Sequence, residues 1–182
     1  MGGISLYGNI LCMTAVVMAL FMGTALAAPR AMTVDDVVIA GIAPGNDLSY
    51  VRSIYGEPDG EKTKRTGNYP THLVDYYGEG FVITYDIFGG AQNPLIQSIE
   101  STNAALVMPS GIHVGMKIAE VQQIFSDIQE PFRRDEKNNQ YTSPRFYVEV
   151  SDEKKGIRTV VFDVDKKGVI QKIFIYDKYG ID

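Results

Sequence analysis

Apolar residues recur every three or four positions in two short stretches of the chain. Leu48, Val51, Ile54 and Tyr55 share one side of a helix, and Ile118, Val121, Ile124 and Phe125 do the same. The two stretches belong to a longer likeness. Residues 41–55 align without gaps on residues 111–125, and the shared pattern is G-I-x-x-G-x-x-[LI]-x-x-V-x-x-I-[YF]. Gly45 and Gly115 sit just before the helices, where the chain must turn. Asp47 is placed to cap the first helix, whereas Lys117, its counterpart, has no acceptor to offer. Gly56 and Pro58 end the first helix.

After each helix the apolar period shortens to two, as in strands. Strands are predicted over His72–Tyr77, Phe81–Phe88 and Leu95–Thr102, and again over Arg145–Ser151, Ile157–Val164 and Val169–Tyr176. Gly78-Glu79-Gly80 reads as a hairpin loop, and Asp165-Lys166-Lys167-Gly168 as a turn. A leading strand is expected before each helix, at Val37–Ile42 and Ala105–Met108. The expected fold is α+β: two tandem units, each a short helix packed on a three- or four-stranded antiparallel sheet. The units are assigned to residues 28–103 and 104–182.

Residues 1–27 are expected to be a signal peptide. From Ile10 to Ala28 there is no charged residue, and Ala25-Leu26-Ala27 is the small-x-small pattern of a cleavage site. Left uncleaved, about 19 apolar residues approach the length of a membrane-spanning helix. Export places the protein outside the cell or in the periplasm or envelope of a bacterium. Cys12 is the only cysteine and lies in this segment, so the remainder can form no disulfide and present no thiol. Stability must come from packing, which roughly 155 residues can supply. The net charge is −5, and no basic cluster exceeds short runs such as Lys62–Arg65, which read as solvated turn charges. That balance argues against a nucleic-acid partner. Membrane contact is expected only through the N-terminal segment, if that segment stays uncleaved.

The helix motif followed by a three-strand meander resembles the repeat of β-lactamase-inhibitor-protein-like and SmpA/OmlA-like bacterial envelope proteins. Gly41-Ile42-Ala43-Pro44-Gly45, Val51 and Ile54-Tyr55-Gly56-Glu57-Pro58 carry the likeness most strongly. Those families are exported and bind proteins; they include an enzyme inhibitor and an outer-membrane assembly component. The resemblance implies an envelope or secreted binding module. This chain departs from both: it lacks the inhibitors' disulfides, and Leu11 before Cys12 does not suit lipidation. No inhibitory or docking residue is therefore carried over.

Candidate chemistry is sparse. No nucleophile motif accompanies His72 or His113, and Asp163-Val164-Asp165-Lys166-Lys167-Gly168 has two lysines where a calcium loop needs oxygen ligands. No catalytic residue, cofactor or metal ligand is assigned. Tyrosine is abundant, at eleven residues, and a sheet face bearing Tyr76, Tyr85, Tyr147, Phe174 and Tyr176 is the candidate surface for a partner. The expected function is that of an exported, non-catalytic binding module for another protein. The alternatives are a binder of a small apolar ligand or lipid, and a hydrolase acting through carboxylates alone.

Overall fold

A computed structural model describes residues 28–87, 90–129, 144–153 and 156–178. The signal-like segment, its cleavage point after Ala27 and Cys12 lie outside them. Seven strands form one antiparallel sheet: β1 (Gly60–Thr66), β2 (Tyr69–Tyr77), β3 (Phe81–Asp86), β4 (Leu95–Ser101), β5 (Arg145–Asp152), β6 (Gly156–Val164) and β7 (Ile170–Asp177). Their order across the sheet is β1-β2-β3-β4-β7-β6-β5. Among the described residues two helices accompany it, α1 (Leu48–Tyr55) and α2 (Ile118–Ile124).

The expectation of two separate helix-plus-sheet units is therefore corrected. Helices and antiparallel strands are present, but the strands make a single sheet. The junction is the pair β4–β7, where Ser98 faces Tyr176, Ile99 faces Ile175, Glu100 faces Phe174 and Ser101 faces Ile173. Both strands carry apolar residues that would stand at exposed edges if the halves were separate. Pairing them satisfies their backbone groups and merges the two apolar surfaces. A single hydrophobic cluster accordingly includes Ile83 and Ile99 from one half and Val160, Phe162 and Ile175 from the other.

The helix motifs enter this sheet by matching backbone bonds. Gly45 N–H donates to Ile96 O at 2.9 Å and Gly115 N–H to Ile170 O at 2.8 Å. Leu48 N–H reaches Pro94 O and Ile118 N–H reaches Gly168 O, each at 2.9 Å. The Asp47 carboxylate caps α1 by accepting from Tyr50 N–H at 2.8 Å, and Lys117 makes no side-chain cap. Val51, Ile118, Val121 and Phe125 are buried; Ile54, placed by periodicity on the buried side of α1, is 44% exposed.

Three local expectations change. Residues 37–42 form no strand: Ile39 and Ile42 bond each other across a tight turn, with Ala40 and Gly41 at positive φ. Residues 105–108 form none either. Short apolar runs of this kind are buried in both settings, and periodicity cannot separate a buried loop from a strand. Conversely, Lys62–Arg65 lie in β1 rather than a turn. Its charges suit a sheet edge, where they discourage pairing with another chain.

Candidate functional site

Because side chains alternate along strands, each strand of the sheet sends one set of residues to each face. One row crosses the sheet as Asp75, Ile83, Ile99, Ile175, Val160 and Val148. All six are buried. This face is covered by α1, α2 and the segment containing Met32, Val37, Ile39 and Ile42, which join the same hydrophobic cluster. Tyr55 of α1 lies with its ring centroid 5.5 Å from those of Tyr77 and Phe81.

The neighbouring row faces the other way. It runs Tyr76, Val82, Glu100, Phe174, Val161 and Tyr147, one residue from each of six strands in succession. All six are part-buried, and none joins the hydrophobic cluster. The next row adds Val74, Thr84, Ser98, Tyr176 and Thr159. Phe174 and Tyr176 lie 5.2 Å apart, centroid to centroid. A groove of about 600 Å³ follows this open face, lined by apolar and aromatic groups such as Val74, Tyr76, Val82 and Phe174 and by polar ones that include Glu100, Lys64 and His72.

Charge on the open face is mostly paired. Lys172 lies 3.3 Å from Glu100 and 3.5 Å from Asp163, and Arg145 lies 2.9 Å from Asp163. Lys62 stands over the Tyr76 ring at 5.2 Å, a cation–π contact. The groove's carboxylate, Glu100, is thus held in an ion pair. His72 Nδ1 lies 3.0 Å from the Thr71 hydroxyl, while His113, in the loop before α2, bonds the Gly111 carbonyl at 2.9 Å. The Asp165 carboxylate accepts from the backbone N–H groups of Lys167 and Val169 at 2.8 and 2.9 Å, closing the β6–β7 turn.

A second concentration of chemistry lies under α1. Asp75 is completely buried, and its counter-ion is Arg52 of α1, at 3.1 Å. The same guanidinium reaches Glu57 at 2.6 Å and Glu61 at 3.2 Å. Burial pushes the Asp75 carboxyl up to about 6; Arg52 pulls the other way, and Glu61 and Glu57 add to the rise. In the other half, Arg158 is also buried. Its guanidinium donates to Pro44 O at 2.5 Å, and burial holds its pKa below the usual arginine value.

Of the aromatic residues singled out from sequence, Tyr76, Phe174 and Tyr147 share one row of the open face, and Tyr176 lies in the next. Tyr85 does not join them. It sits on the covered face, fully buried, opposite Leu73 and Ile96. The signal for this is present in the chain: Tyr85 has the same parity as Phe81 and Ile83, and the three are buried together. Sequence reasoning also missed Asp75 and Arg52. A lone carboxylate inside Leu73-Val74-Asp75-Tyr76-Tyr77 marks the position. No protein-family model, curated protein or solved structure matches the chain.

Proposed function

We propose that the protein is an exported, non-catalytic binding module that takes another protein on the open face of its sheet. The observation that carries this reading is the row Tyr76, Val82, Glu100, Phe174, Val161 and Tyr147. It presents aromatic and branched apolar groups, with the Glu100–Lys172 ion pair among them. Aromatic and apolar groups mixed with paired charge suit a protein interface, and tyrosine is among the preferred residues there. The uncharged segment ending in Ala25-Leu26-Ala27 supports export, and the resemblance to envelope repeat proteins points in the same direction.

The other readings have less support. A lipid site between sheet and helices needs an apolar hollow there, and Val51, Ile83, Ile99, Ile118 and Phe125 fill that layer. A carboxylate hydrolase needs two carboxyl groups facing each other across a cleft. Glu100 lies on the groove with Lys172 as its partner.

The test is capture from secreted and envelope fractions with the chain lacking residues 1–27. The wild type is expected to retain a specific protein. The Tyr76→Ser/Phe174→Ser double variant is expected to lose it at least tenfold while melting within a few degrees of the wild type. Equal capture by both, or repeated failure of the wild type to capture anything, counts against the reading.

A further inference from the structure

Three carboxylates share one guanidinium beneath α1, and only one of them is shut off from water. Asp75 is 0% exposed, whereas Glu57 and Glu61 keep much of their surface in solvent and can do without Arg52. Arg52 offers Nη1 to Glu57 and divides Nη2 between Glu61 and Asp75. Neither Asp75 oxygen accepts a well-aligned hydrogen bond: Arg52 Nη2 lies 3.1 Å from Oδ2, and the Tyr85 hydroxyl, the carboxyl's other polar neighbour, is not well aligned with it either. A buried carboxylate ordinarily accepts several hydrogen bonds, and leaving it short is costly.

One proton relieves the shortage. A protonated Asp75 gains an O–H to donate and no longer needs a counter-charge, while Tyr85 can pair with it as donor or acceptor. Arg52 is then free to serve Glu57 and Glu61. We infer that Asp75 takes up a proton in the folded protein as the medium turns mildly acidic, and that a hydrogen bond with Tyr85 of β3 then replaces its ion pair with Arg52. The device is a proton-operated clamp, and the fold is firmer in mild acid than at neutral pH.

The groups that surround Asp75 set the direction. Arg52 faces it from α1, Glu57 from the loop after α1, Glu61 from β1, Tyr77 from its own strand and Tyr85 from β3. Burial is the largest influence and raises the carboxyl to about 6, above the roughly 3.9 of an unfolded chain. Burial likewise raises the hydroxyls of Tyr55, Tyr77 and Tyr85, so these remain protonated. A folded-state value above the unfolded one gives stability that is fully present below about 4 and is lost as pH rises through about 6. Val74 and Tyr76, the sequence neighbours of Asp75, line the groove from the opposite side of β2. The clamp and the binding face therefore share a strand.

The test combines two measurements on the full chain. Carbon-13 NMR of the Asp75 side chain is expected to show a carboxyl midpoint near 6. Urea unfolding is expected to show the midpoint concentration rising as pH falls from 8 to 5. The Asp75→Asn variant isolates this carboxyl's share of the pH dependence. It is expected to have a flat profile and, at pH 8, a higher urea midpoint than the wild type. An Asp75 midpoint at or below 4, or an Asp75→Asn profile parallel to the wild type, overturns the inference. If Asp75→Asn does not fold, the NMR midpoint decides alone.

Discussion

The two faces of the sheet are built from alternate residues of the same strands, yet they differ in almost every physical respect. Ile83, Ile99, Ile175 and Val160 lie under α1, α2 and residues 32–42. Their immediate neighbours Val82, Glu100, Phe174 and Val161 form the open face. On the covered face apolar contacts are dense and the buried Asp75 is short of partners. On the open face the aromatics are half-buried and the acids hold counter-ions. The difference shows that stability and recognition are assigned to opposite parities of one pattern. A one-residue slip in register would exchange the roles.

Large-to-small substitution is the strongest way to break this comparison. Phe162 is fully buried between Phe146 and Ile173, whereas Phe174, on the next strand, looks outward. Phe162→Ala is expected to lower stability by about 3–5 kcal/mol. Phe174→Ala is expected to cost about 1 kcal/mol, since only part of that ring leaves water. Urea unfolding of the two variants side by side measures the gap. Similar losses would remove the distinction between the faces.

A smaller effect contrasts two acids of the covered layer. Asp36 accepts two bonds from Arg30, at 2.6 and 2.7 Å, and two from Thr33, and these hold its carboxyl down near about 2. Its folded-state value lies below the unfolded one, so its contribution is present above about 4 and is lost as pH falls through about 2. That is the reverse of Asp75. Asp36→Asn is expected to cost about 1–2 kcal/mol at pH 7, discounted because Arg30 is half in solvent. The loss should shrink toward zero in melts taken near pH 2.

Strands β2 to β7 were legible within a few residues because their alternation is strong and glycine turns separate them. Residues 60–66 were not, since Gly60-Glu61-Lys62-Thr63-Lys64-Arg65-Thr66 has no apolar alternation and an edge strand needs none. The junction of β4 with β7 was hidden for another reason. Sequence shows that both strands are apolar on more than one side, but not which edge meets which. The placement of Tyr85 could have been read from its step of two beyond Phe81 and Ile83. The Arg52–Asp75 pair could not: Asp75 stands out in its strand, but its partner lies 23 positions earlier on a helix.

Tyrosine labelling tests the separation of the faces most directly. Brief nitration of the native chain, read residue by residue by mass spectrometry, should modify Tyr76, Tyr147 and Tyr176 and leave Tyr85 untouched until urea unfolds the protein. Modification of Tyr85 at the rate of Tyr76 under native conditions would contradict the arrangement on which the binding face rests.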